Sequence, residues 1–243
     1  MRKMMVLVKL ASYNHSFIQA RRGKLMTEPP KAEILDSYYE HRVDFAAPIF
    51  AVWTIPNPLV NSLYLSLRKW NVALKDLSWN KEPSSFEDLQ LTFSIPSMGA
   101  LIRVGLENAT FIAVNPDWSK APALVELFET AMADIQQTAK AERASQEIAL
   151  AMHLKAGGRS LGDRMEKLVR ADVLGSAEMY GISAYREDSS LVIDKSLRHD
   201  GGLFIRLYRK LSASVSFSEV ATTLYQDEVK ALSLVGLQDL IQG

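Results

Sequence analysis

The chain has 243 residues, with 48% hydrophobic and 23% charged positions, so it carries enough apolar material for a core and is not disordered throughout. It has no cysteine, which excludes a disulfide scaffold, thiolate catalysis, iron–sulfur clusters and cysteine zinc sites. Net charge is zero, with 28 basic and 28 acidic residues, so the whole chain exerts no global pull on a polyanion.

That neutrality conceals an asymmetry. Arg2, Lys3, Lys9, Arg21, Arg22 and Lys24 precede the first acidic residue, Glu28, which leaves an acidic excess in the remainder. The apolar run Met4–Val8 is cut by Lys9 and is too short for a signal peptide. Residues 1–25 read as a basic leader, disordered or not native, with Met26 as the natural start. Phe45–Leu67 has no charged residue, long enough to span a bilayer, yet Pro48, Pro56 and Pro58 interrupt it. Two elements fit better: a buried strand at Ile49–Ile55, then a helix capped by Asn57 with Pro58 at its first position. Leu59, Leu63, Leu67 and Trp70 form its apolar stripe.

The period then changes to two. Leu89, Leu91, Phe93 and Ile95 alternate with polar neighbours, as do Ile102, Val104 and Leu106, and Thr110–Val114 makes a third short strand. Connections this short require antiparallel pairing. Ser119 and Pro122 open a helix with the stripe Leu124, Phe128, Met132 and Ile135, running to about Lys140. Ile148, Leu150, Met152 and Leu154 begin the second half as a strand. After Gly157-Gly158, Ser160 caps a helix to about Ala171. Strands follow at Met179–Arg186, Leu191–Asp194 and Leu203–Leu211, and Ser218 caps a last helix with Val220, Leu224 and Leu232 inward.

The order β-α-β-β-β-α thus occurs twice, over residues 43–140 and 147–235. The expected fold is α+β: duplicated units forming one largely antiparallel sheet, one pseudo-symmetric domain, with helices packed on one face. This element order resembles duplicated saddle-like folds such as the TATA-binding-protein class, a likeness of architecture that implies no function.

Gly158-Arg159-Ser160-Leu161-Gly162 matches the G-x-S-x-G nucleophile elbow, with Asp188 or Asp194 and then His199 in the Ser…Asp…His order. The alternating, antiparallel character of the flanking strands argues for Ser160 as a helix cap instead, with Asp163 beside the helix dipole. His15, His41, His153 and His199 show no metal-ligand spacing, so no metal and no cofactor are expected. No P-loop or dinucleotide fingerprint is present.

The remaining candidate is a surface. On the last strand Leu203, Ile205, Leu207 and Leu211 read as buried, interrupted by Arg209, and Phe204, Arg206, Tyr208 and Lys210 face the other way. Neighbouring strands add Arg103, His153, Tyr180 and Arg186. Aromatic and cationic side chains on one sheet face suit a peptide or protein partner. The acidic body disfavours nucleic acid except through the basic leader. The sequence therefore reads as a soluble, cytoplasmic, non-enzymatic binding or assembly protein that takes a protein or peptide partner or pairs with itself as a homodimer, with a serine hydrolase at Ser160, Asp194 and His199 as the alternative.

Overall fold

A computed structural model describes residues 33–50, 58–80, 89–155, 181–235 and 237. Nine strands form one antiparallel sheet in the order β2-β3-β4-β5-β1-β6-β9-β8-β7. The strands are β1 (Glu33–Phe45), β2 (Leu77–Trp79), β3 (Leu91–Ile95), β4 (Ala100–Val104) and β5 (Asn108–Val114), then β6 (Arg143–Lys155), β7 (Ile182–Tyr185), β8 (Ser189–Lys195) and β9 (Gly202–Ser212). Among the described residues three α-helices accompany them: α1 (Pro58–Leu67), α2 (Ala121–Ala139) and α3 (Phe217–Leu234). The expected α+β architecture and large antiparallel sheet are present.

Two 13-residue strands, β1 and β6, lie side by side at the centre and pair from Glu33↔Lys155 to Phe45↔Arg143. Moving outward from β1 come β5, β4 and β3; moving outward from β6 come β9, β8 and β7. The turns follow local chemistry. Gly99 adopts φ +58° between β3 and β4, and an added Cβ would lie 2.9 Å from the Val114 carbonyl oxygen, so a side chain is excluded twice over. Asn115 takes a positive φ after β5, and its side chain accepts from the Ser37 amide at 2.6 Å, which pins the end of β5 to β1.

One sheet face is the core face. Phe93, Ile102, Val104, Phe111, Ile148, Met152 and Ile205 are at most 1% exposed on it. Helix α1 contributes Leu59, Leu63 and Leu67, α2 contributes Leu124, Phe128, Met132 and Ile135, and α3 contributes Phe217, Val220, Leu224 and Leu232. Those stripes are the ones their 3.6-residue spacing predicts. Arg209, the charge that interrupts the apolar face of β9, is neutralised by α3: its Nη2 donates to Asp227 Oδ1 at 2.8 Å and its Nε to Asp227 Oδ2.

Several local expectations need correction. The first described strand runs over Glu33–Phe45, ahead of the strand expected at Ile49–Ile55, of which only Ile49 and Phe50 are described and neither is in a strand. Ile49 is buried, but it is tied by its amide to the Leu106 carbonyl at 2.7 Å in a connection that follows β1, outside any ladder. Residues 51–57, including the predicted cap Asn57, lie outside the described residues. Helix α2 starts without a side-chain cap, because the Ser119 hydroxyl is bonded to Asp117 Oδ1. The cap of α3 is Ser216, not Ser218. Ser216 Oγ accepts from the Glu219 amide at 3.2 Å, and Glu219 returns the bond to the Ser216 amide at 2.8 Å, a reciprocal capping box. The helix predicted from Ser160 lies outside the described residues.

Candidate binding face

The opposite sheet face is lined by the other residue of each alternating pair. β9 presents Phe204, Arg206, Tyr208 and Lys210, the four side chains predicted to share a face. The ladders set His153 of β6 opposite Phe204, Ala151 opposite Arg206, Ala149 opposite Tyr208 and Glu147 opposite Lys210. Across β6, Tyr38 of β1 stands opposite Ala151 and Glu40 opposite Ala149. Two small alanines therefore floor a shallow trough along β6, walled by Tyr38 and Glu40 on one side and by Arg206 and Tyr208 on the other.

Of the remaining predicted surface residues, Arg103 lies on the same face but on β4, beside Thr110 of β5 and separated from β9 by β5, β1 and β6. Arg186 sits in the exposed turn between β7 and β8, its amide donating to the Ser189 carbonyl at 2.7 Å. Tyr180 lies outside the described residues. The structure thus gathers His153, Phe204, Arg206, Tyr208 and Lys210 and leaves Arg103 and Arg186 at a distance in the sheet.

The charges on this face alternate in sign. Arg42 Nε donates to Asp44 Oδ1 at 2.7 Å, and Lys210 Nζ lies 3.8 Å from Glu147 Oε1. The Tyr38 hydroxyl donates to Glu40, and Tyr208 is hydrogen-bonded to Glu147. Both phenols are pushed up to about 12, first by burial against neighbours and then by the carboxylate that accepts their hydrogen bond. They remain neutral hydrogen-bond donors throughout the physiological range.

At one end of the trough a polar cluster forms that sequence reasoning assembled only in part. His199 Nε2 bonds Asp36 Oδ2 at 2.6 Å, which holds the Asp36 carboxyl below the ordinary carboxylate range. The His199 ring lies edge-on to His153 at 5.6 Å, and His153 leans on Phe204 at 5.0 Å. His153 Nδ1 meets Ser196 Oγ at 2.8 Å. Ser196 Oγ already accepts from the Arg198 and His199 amides at 3.2 and 3.0 Å, so its proton goes to His153 and fixes the Nε2–H tautomer. Burial, then the nearby Arg198 charge, lower the His153 pKa. Asp36 and Ser196 were missing from the predicted site. The signal for Asp36 was the alternation of β1, which its polar inward positions obscured.

The alternative catalytic set fares differently from its sequence order. Ser160 lies outside the described residues. The carboxylate on His199 is Asp36, while Asp194 Oδ1 accepts from the Lys195 amide at 2.7 Å. β6, the strand that leads toward Ser160, is antiparallel to both of its neighbours. Among the described residues no group of three or more metal-ligating side chains converges, and no helix is long and apolar enough to cross a membrane.

No protein-family model matches the chain, and no curated protein matches it. Among solved structures the chain is similar to the Methanococcus jannaschii TBP at a TM-score of 0.32 and 10% identity, covering 84% of this chain and 99% of that one. It is also similar to a rolling circle replication initiator protein from Geobacillus stearothermophilus at a TM-score of 0.37 and 8% identity, covering 82% of this chain and 80% of that one.

Proposed function

We propose that this chain is a non-enzymatic binding or assembly module of the cytoplasm, which takes a protein or peptide partner, or a second copy of itself, on the sheet face opposite the core. The observation that carries the reading is the trough along β6, where an aromatic and cationic wall on β9 faces a tyrosine and carboxylate wall on β1 across two alanines. Large rigid aromatics beside arginine lose little rotamer entropy on binding and supply most interface energy. The mixture of signs suits a protein surface with matching alternation and gives no continuous basic track for phosphates.

We infer further that the sheet is one pseudo-symmetric domain built by duplication. The supporting observation is the order read outward from the centre, β5-β4-β3 on one side and β9-β8-β7 on the other, with β6 beginning 110 residues after β1. The serine hydrolase alternative loses ground because an elbow nucleophile sits at the end of a parallel strand, whereas β6 has antiparallel neighbours on both sides.

The test is a photo-crosslinking residue placed at Tyr208, together with the Arg206→Glu/Tyr208→Ala double variant in sedimentation velocity. The expected result is a discrete protein adduct, to a partner or to a second copy, and loss of the corresponding complex in the double variant. Absence of any adduct, with sedimentation identical in both proteins, would overturn the reading. Adducts to nucleic acid alone would replace it.

A further inference from the structure

Beneath the sheet, on the core face, lies a histidine that the binding reading does not use. His41 of β1 is fully buried. Its ring sits 4.5 Å from Phe217, 6.1 Å from Phe111 and 6.4 Å from Tyr39. Nε2 lies 2.8 Å from Gln146 Oε1. The Gln146 amide nitrogen faces three carbonyls of the turn into α3, those of Ser212, Ala213 and Val215, at 2.9, 3.3 and 2.8 Å. That nitrogen is therefore the donor, Oε1 is the acceptor, and His41 carries its proton on Nε2. Among the described residues Nδ1 has no hydrogen-bond partner.

This arrangement connects one ring to one helix end. Gln146 gathers the backbone that delivers α3, and Phe217, the first residue of α3, lies on the His41 ring. We propose that His41 and Gln146 form an acid-released latch that holds the amino-terminal end of α3 against the sheet. A second proton on Nδ1 would place a charged donor without an acceptor among aromatic rings. The route by which that donor gains water is the lifting of Phe217 and the turn before it.

The charged and titratable groups around His41 oppose protonation. From β6, Arg143 stacks its guanidinium 5.5 Å from the Phe217 ring and donates to the Val215 carbonyl at 3.3 Å, so its charge repels a second cation. Burial is the largest cause that lowers the His41 pKa, to about 4, with Arg143 adding to it and Gln146 opposing. From α2, Phe128 stacks on Tyr39, and Glu129 acts on Arg143 by raising its pKa against burial. From β1, Tyr39 is a neutral phenol whose pKa burial raises. From α3, Glu219 is committed to the Ser216 cap.

The test is hydrogen exchange of the intact chain at pH 7.5 and pH 5.0, corrected for intrinsic rates. With an ordinary histidine pKa in the released state, the opening equilibrium of the first turns of α3 rises by about 30-fold at pH 5.0. The β3–β5 peptides keep their protection, and in His41→Phe the rise disappears. An equal loss over α3 and β3–β5 would overturn the latch, because acid would then be unfolding the whole molecule. So would an undiminished rise in His41→Phe. Should that variant fail to fold, the ring is followed by nuclear magnetic resonance in the unaltered protein. A His41 ring that protonates near pH 6.5 while α3 stays protected would overturn it equally, and a neutral ring at pH 5.0 in the docked state supports it.

Discussion

The two faces of the central strand pair use the same residue types to opposite ends. On the core face His41 is enclosed by aromatic rings and held neutral, with one nitrogen satisfied by Gln146 and the other without a partner among the described residues. On the opposite face His199 is half-exposed and bonded to a carboxylate, and His153 accepts a hydrogen bond from a serine hydroxyl. Tyr39 packs on Phe128, while Tyr38, one residue earlier, is part-exposed on the opposite face and donates to Glu40. A shift of one position along β1 exchanges a low-dielectric environment for water, and that exchange decides what each side chain does.

The contrast is sharpened by substitution. The largest effect is expected from Phe111→Ala on the core face, a loss of about 4 kcal/mol in urea denaturation at neutral pH, since it empties a site shared with Phe128 and Phe217. A loss below half of that would mean that the core face collapses around the gap and is less tightly specified than its burial suggests.

Next comes pH. The folded-state His41 pKa lies below its unfolded value, so the unfolded chain binds the proton more readily. Stability from this group is complete above pH 6.5 and falls as pH drops toward 4, by about 3 kcal/mol in all. Denaturation midpoints measured across that window should fall in the unaltered protein and flatten in His41→Phe. On the other face Asp36 shifts downward through its bond to His199, so its smaller contribution is present above the ordinary carboxylate range and fades only at lower pH.

An intermediate effect is expected where the core face meets a charge. Asp227→Ala leaves Arg209 without the carboxylate that both its nitrogens use, and should cost about 2 kcal/mol by the same denaturation measurement. Arg209→Met, which restores the apolar stripe of β9, should recover part of that loss in the Asp227→Ala background. The smallest effect belongs to the face opposite the core. Arg206→Glu with Tyr208→Ala should change stability by no more than about 0.5 kcal/mol while altering association, because neither side chain supports the core. A large destabilisation there would show that the face is structural.

Much of this fold could be read from period alone. The alternations at Leu91–Ile95, Ile148–Leu154 and Leu203–Leu207 locate β3, β6 and β9, and the stripes of α1, α2 and α3 are the buried ones. The face carrying Phe204, Arg206, Tyr208 and Lys210 followed from the same alternation. β1 escaped because its inward positions include Ser37 and His41, which look polar in sequence and are 5% and 0% exposed in the fold. The contact that satisfies one His41 nitrogen comes from Gln146, which is 105 residues away in sequence. The apolar run near Ile49 took the assignment instead. Missing β1 also concealed Asp36, and with it the carboxylate of His199. The α3 cap was misplaced by two residues because Ser216 and Ser218 both precede an apolar stripe, and the choice depends on the reach of Glu219.

The pairing of β1 with β6 has a consequence for how the molecule is made. Tyr39 and Leu150 are ladder partners although 111 positions separate them. As the chain leaves the ribosome, β1 emerges first and waits for β5 on one side and β6 on the other. The entropy of closing that loop is spent before its contacts form, so pairing of β1 with β6 is expected to come late in folding. Through that interval the nascent β1 presents two unpaired edges and an inward row containing Tyr39, Val43 and Phe45, the surface that a chaperone would need to shield.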